Sequence, residues 1–308
     1  MQLDRSDSAQ RLQSGVPGDP AISRARGSRG GVALMLLSGL SNQAGASLAS
    51  LAFPVLGPAG VVAVRQWVAA IVLVAVGRPR LRRFSAAQWR VVLGLALVFA
   101  VMNLSLYAAI ERIGLGLAVT LEFLGPLAVA LAGSRRITNV LCAVAAAGAV
   151  AVLVRPTPST DYLGVGLALL AAVCWAGYIL LNREVGARLP GLEGSAAAAL
   201  VSGILYLPVG AWVLWQHPPT VAVLVYALAA GVLSSAVPFL ADTLALRRMP
   251  AHSFSMFMSV NPVFAALIGL AALGQQLDVP AWLAIVAIVG ANIVALSTSH
   301  RSTRRRAE

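Results

Sequence analysis

The sequence is poor in charge. Only 11% of its 308 residues are Asp, Glu, Lys or Arg, where a soluble domain of this length carries roughly a quarter. Lysine is missing altogether, so all 23 basic residues are arginine. Histidine and cysteine are scarce as well, with 3 and 2 copies. His217, His252 and His300 are scattered through loops and the C-terminal tail, and no CxxC or HExxH spacing occurs. That leaves no ligand set for a metal, and no nucleophile–base pairing of the kind an enzyme needs. Cys142 and Cys174 sit inside apolar runs and read as small buried hydrophobes. The net charge of +12 is not arranged as a basic face with interleaved aromatics, which excludes a nucleic-acid partner.

What fills the chain is apolar sequence. Hydrophobic residues make up 59% and the mean hydropathy is +0.83. Ten runs approach the roughly 20 residues that a membrane-spanning helix requires: 31–53, 58–77, 89–110, 114–132, 137–154, 163–182, 194–214, 221–245, 253–272 and 280–298. Short gaps with turn chemistry separate them, among them Phe53-Pro54, Arg155-Pro156 and His217-Pro218-Pro219. Runs of this length fit helices and are too long for barrel strands. Arginine sets the orientation. Arg65 lies within a span, Arg112 and Arg155 fall on one side, and the remaining 20 fall on the other, with both termini. The positive-inside rule then predicts cytoplasmic termini. Residues 1–30 are polar and are predicted to form a disordered cytoplasmic tail, and 299–308 a basic one.

The spans repeat. GVALMLL at 31–37 resembles GVGLALL at 164–170. Shifting 103–133 by 136 positions onto 239–269 pairs Leu104, Ala109, Arg112, Pro126, Ala130, Leu131 and Gly133 with identical residues. Two halves, 31–154 and 163–298, each carry five spans, and an odd number turns the second half upside down. The predicted fold is therefore an all-α integral membrane protein of ten transmembrane helices, built as two inverted five-helix repeats. Inverted repeats are a transporter feature, with the site at mid-membrane between the halves.

Charges deep in spans are costly and mark function by default. Three qualify: Arg65, Glu122 and Asp242. Asp242 has a structural alternative, reaching the interface or pairing with Arg247 or Arg248. The structural alternative for Glu122 is an ion pair with Arg65 from a neighbouring helix. Proline adds a second signal. Pro126 has no N–H to offer the carbonyl of Glu122, and Pro238 and Pro262 do the same to Ser234 and Met258. Such freed acceptors are tolerated at membrane depth where they line a polar cavity, or where neighbouring helices satisfy them; a plain kink is the alternative. Trp67, Phe123, Tyr178 and Phe239 are candidates for the apolar side of such a cavity, or for lipid-facing packing.

Four stretches carry a resemblance: GASLASLAFPVLGPAGVVAVR at 45–65, LEFLGPLAVAL with SRR at 121–136, CWAGYIL at 174–180, and AVPFLADTLALRRMPAHSFSMFMSVNPVFAAL at 236–267. Together they resemble the drug/metabolite transporter superfamily, EamA type, across residues 31–298. The resemblance implies an inner-membrane exporter of small amino acids, threonine- or homoserine-like, with no cofactor and with protons as a coupling partner. It directs attention to Glu122, Arg65, Pro126, Asn261, Pro262, Asp242 and Tyr178. The chain departs from the family at Asn261-Pro262, where Glu-Pro is common, and at Gln275, where Leu-Gly-Glu often closes the ninth span. Glu122 is thereby left as the chief coupling carboxylate. The readings set against this are export of an aromatic amino acid, a purine or a toxic cation, and a membrane protein that transports nothing.

Overall fold

The computed structural model describes residues 20–132, 137–154, 161–238, 241, 244 and 258–307. All of the regular structure in them is helical. Helix α1 runs Pro20–Gly77, followed by α2 Ala86–Ile113, α3 Leu115–Glu122, α4 Leu124–Ala132, α5 Ile137–Val154 and α6 Tyr162–Arg188. Then come α7 Glu193–Leu205, α8 Leu207–Gln216, α9 Val221–Gly231, a π-helical turn Val232–Ala236, α10 Asn261–Leu273 and α11 Val279–Ala307. Among the described residues, 3 helices are long and apolar enough to cross a membrane: Gly30–Gly77, Ala86–Ile113 and Tyr162–Arg188. The α7–α8 pair qualifies as a further span, bent by 41°.

Several breaks have local chemical causes. Helix α1 holds two of the predicted spans, which meet at Gly57 (φ 61°, ψ 171°) between Pro54 and Pro58. Only glycine adopts that backbone readily, so the chain turns there without a loop. The predicted span 114–132 is divided at Phe123 into α3 and α4. The division falls at Glu122, where Pro126 withholds a backbone donor. Pro208 bends the predicted span 194–214 at Tyr206 in the same way. Span 253–272 is described from Met258 onward, with α10 opening at Asn261-Pro262.

Packing brings distant segments together. Helix α2 lies along α6, α11 along α5, and α10 against α3. The first leg of α1 meets the π-helical turn, where Ser41 Oγ donates to Leu233 O at 2.8 Å and Ser234 Oγ to Asn42 O at 3.1 Å. The second leg meets α7, where Gln66 Nε2 donates to Ser202 Oγ at 2.8 Å and Trp67 Nε1 to Gly203 O at 3.1 Å. The core between these elements is largely alanine, valine and leucine, with Ala49, Ala52, Ala109, Ala118 and Ala168 fully buried. Small side chains allow the close backbone approach that helix association in lipid depends on. The outside is equally apolar: Ile71, Leu97, Val144, Val173, Trp215 and Leu283 are exposed, a surface suited to lipid and not to water.

Candidate functional site

Inside the bundle lies a cavity of about 80 Å³. Asn42, Gln43 and Ala46 on the first leg of α1 and Arg65 on the second leg line it. Leu106 and Tyr107 of α2, Val119, Glu122 and Phe123 at the α3–α4 break, Trp175 of α6, Met258 and Asn261 complete the wall. Trp175 and Phe123 meet edge to face at 4.5 Å, forming one apolar side.

Arg65 is held from several directions. Its Nη1 donates to Asn103 Oδ1, and its Nη2 to Ser234 O at 3.2 Å. The guanidinium also stacks 5.0 Å from the centroid of Tyr107, a cation–π contact worth up to about 2 kcal/mol when desolvated. Ser234 O is an acceptor to which Pro238, four residues on, has no N–H to offer. Arg65 Nε remains buried without a partner. No described acidic side chain forms an ion pair with Arg65.

Glu122 is 5% exposed at the C-terminal residue of α3. Among the described residues its carboxylate accepts no hydrogen bond and forms no ion pair. The pairing of Glu122 with Arg65 that the sequence left open is therefore not made. The two side chains, one acidic and one basic, face the same small cavity without a direct salt bridge between them. A buried charge left without its partner is strongly unfavourable. A wall holding two of them, unpaired with each other, is complementary to a guest carrying both signs.

The other expected residues divide. Asn261 lines the cavity, 3% exposed, with Met258 beside it. Pro262 and Pro126 stand just outside it and act on the backbone of Met258 and Glu122. Tyr178 does not line it; its ring packs on Phe99 at 5.9 Å within the α2–α6 contact. Trp67 is likewise absent from the wall and donates to Gly203. Asp242 and Phe239 lie outside the described residues. The sequence reading passed over Asn42, Gln43, Asn103, Tyr107 and Trp175; the adjacent amides Asn42-Gln43 in an apolar run were the available signal. Gln275 accepts from Leu115 N at 2.9 Å, so it caps α3 from the far end of α10. No described group of His, Cys, Asp and Glu could hold a metal.

An all-helical molecule with an apolar exterior and a charged internal cavity is a membrane protein with a place for a polar guest. A model of the EamA-like transporter family matches residues 162–297. The threonine/homoserine exporter RhtA of Salmonella typhimurium (strain LT2) is 36% identical over 277 residues, covering 88% of this chain and 92% of that protein. The threonine/homoserine exporter RhtA of Escherichia coli (strain K12) is 34% identical over 280 residues, covering 89% and 93%. A solved crystal structure aligns with a TM-score of 0.56 over 87% of this chain and 98% of its own, at 20% identity, a likeness of fold alone. The chain belongs to the EamA-like transporter family; it is a membrane transporter and not an enzyme.

Proposed function

We propose that the protein exports small zwitterionic amino acids, threonine and homoserine among them, across the bacterial inner membrane. One observation carries the reading: the Glu122 carboxylate and the Arg65 guanidinium line one cavity without pairing with each other. An amino acid supplies an ammonium for Glu122 and a carboxylate for Arg65, so neither charge stays unpaired in a low-dielectric wall. The names of the relatives, similar over nearly their whole length, point to the same cargo class. A purely cationic cargo fits less well, because it would face Arg65 with no anion to offer it.

The transport cycle we propose is alternating access between two inverted five-helix halves, 31–154 and 163–298, with ten spans and both termini cytoplasmic. Two hydrogen bonds support this. Gln66 to Ser202 and Trp67 to Gly203 each join residues 136 positions apart, the offset that pairs 103–133 with 239–269 and close to the 133 that pairs 31–37 with 164–170. Equivalent residues meet each other only near a pseudo-two-fold axis. Glu122 ends a divided helix at the cavity that Arg65, next in sequence to Gln66, also lines, and we assign it the coupling role: it holds the cargo's ammonium in one step and a proton in the other.

The test is Glu122→Gln in proteoliposomes loaded with labelled threonine. The amide keeps the size of the side chain but can neither titrate nor neutralise an ammonium. Driven export should fall to the protein-free background while the protein still folds, since Arg65 keeps Asn103, Ser234 O and Tyr107. Wild-type, pH-dependent export by Glu122→Gln protein would refute the role. Topology is checked separately by reporter fusions at 78–88, at 157–160 and after Glu308. The expected sides are inside, outside and inside, and a cytoplasmic signal at 157–160 would sink the ten-span arrangement.

A further inference from the structure

Two more polar groups at the cavity lack partners. Gln43 and Tyr107 both line it, at 2% and 1% exposure, and Gln43 Oε1 and the Tyr107 hydroxyl are buried without a hydrogen bond. Elsewhere the chain provides for such groups. Gln66, equally buried, donates to Ser202, and the Tyr206 hydroxyl donates to Ala100 O at 2.9 Å. Among the described residues, the only other fully buried side-chain atoms in that state are Arg65 Nε and Asn292 Oδ1, and Asn292 is not part of the wall. Helices in lipid cannot turn to bulk water for a missing partner. The cavity is thus where this chain tolerates unmet hydrogen-bonding capacity.

Tyr107 cannot readily swing away to find a partner. Its ring meets Phe53 edge to face at 6.0 Å and carries the Arg65 guanidinium on its face. The chemistry of the two groups narrows what could complete them. Gln43 Oε1 only accepts, whereas a phenol both donates and accepts. A carboxylate cannot serve the amide oxygen, and an ammonium cannot take the phenol's proton. A hydroxyl can serve either group, as donor to one or as donor or acceptor to the other. The ammonium and carboxylate of an amino acid are already matched to Glu122 and Arg65, so the group left to read is the side chain. The small volume, closed by Phe123, Trp175 and Leu106, limits that side chain to a few heavy atoms.

We propose that Gln43 and Tyr107 read the cargo's side chain and select a short hydroxylated one over an apolar one of the same shape. The inference rests on amino-acid export as the function, and adds the residues that set preference within that class. A site built to hydrogen-bond a hydroxyl rejects the analogue lacking it, because its own buried groups are then left unmet.

Threonine and valine differ by a hydroxyl in place of a methyl and are the natural pair to compare. In proteoliposomes preloaded with unlabelled threonine, the wild-type protein should exchange labelled threonine at least tenfold more efficiently than labelled valine. Tyr107→Phe keeps the ring and both of its aromatic and cationic contacts, and should cut that ratio three- to tenfold. Gln43→Leu should cut it as well. The melting temperature separates this role from a structural one: Tyr107→Phe deletes an unpaired buried hydroxyl, so the variant should melt no lower than wild type. A wild-type protein that exchanges threonine and valine equally overturns the proposal while leaving export standing. So does a Tyr107→Phe variant with an unchanged ratio. A wild-type protein that moves no amino acid overturns both readings together.

Discussion

Replacing Asn103 by aspartate would convert Arg65 from an available cation into half of a local ion pair, with almost no change of shape. Arg65 Nη1 already donates to Asn103 Oδ1, and Asn103 is 2% exposed. A carboxylate at that position would face the guanidinium within hydrogen-bonding reach. At roughly 4 Å and an effective dielectric of about 20, the attraction is about 4 kcal/mol. Burying the new carboxylate costs several kcal/mol. The donation from Asn103 Nδ2 to Phe99 O, 2.7 Å long, is lost too, at about 1 kcal/mol. These contributions largely cancel, so the expected change in stability is small, within about 2 kcal/mol either way. The effect on cargo is one-sided. Arg65 would no longer present an uncompensated charge to the cargo's carboxylate, forfeiting a charge-assisted bond worth about 1.5–3 kcal/mol. That corresponds to roughly a ten- to hundredfold weaker half-saturation for threonine. Concentration-dependent uptake into proteoliposomes measures it, with a thermal melt on the same preparation to show that the protein is folded. If Asn103→Asp transports threonine with wild-type half-saturation, Arg65 serves packing alone and the zwitterion argument fails.

Further consequences can be measured on the same preparation. Gly125→Ala would place a Cβ 2.2 Å from the backbone oxygen of Ala172; helices α4 and α6 must then part, at about 1–3 kcal/mol and a lower melting temperature. Gln275→Leu removes the acceptor for Leu115 N and should cost about 1 kcal/mol, the scale of a lost helix cap. Gln275→Glu should keep the cap, since a carboxylate also accepts and is favoured at a helix N-terminus; equal melting of the leucine and glutamate variants would contradict the capping role. The Asp161 carboxyl is held below its ordinary range by the Gly164 N–H and by Arg112. Its folded value is depressed, so its contribution is present above the unfolded value of about 4 and fades as pH falls through the folded one. Acid melting of Asp161→Asn should lack that component, and an unchanged acid profile would count against it.

How much of this was legible beforehand depends on what each feature costs. A charge inside an apolar run is expensive anywhere, so Glu122 and Arg65 stood out in the sequence, and both line the cavity. Prolines were informative for a related reason. Each removes a specific backbone donor, and the divisions at Glu122 and at Asn261 fall where Pro126 and Pro262 act. Pro208 bends α7 against α8 by the same rule, but it sits among residues with no charge to draw attention. Neutral polar residues were the blind spot. In an apolar helix they usually satisfy themselves four residues back, as Thr120 does on Gly116 O at 2.6 Å and Ser105 on Val101 O at 2.5 Å. The adjacent amides Asn42-Gln43 stand out from those, but nothing in the local sequence shows that Gln43 Oε1 goes without a donor. The difference is made by which helices come to surround a residue, and that is a property of packing. Tyr178 illustrates the converse: an aromatic in a span that the sequence offered to the cavity, but that the α2–α6 contact takes up.

The low charge content of the chain finds its explanation in the backbone. A buried guanidinium needs acceptors, and a helix carbonyl already bonded to the fourth residue on has only its second lone pair to give. Adding acidic side chains would supply them, but would also neutralise Arg65. Pro238 favours one differently, by having no N–H to offer Ser234 O four residues back, and that oxygen is the one Arg65 Nη2 reaches. The amide of Asn103 and the face of Tyr107 add two further neutral supports. Arg65 is thus fixed in place by dipoles while its full charge remains unspent. At the opposite charge, Glu122 ends a divided helix and has no cation bonded to it. Dipoles that position a charge without cancelling it allow a chain with so few ionisable residues to keep one of each sign available to a guest.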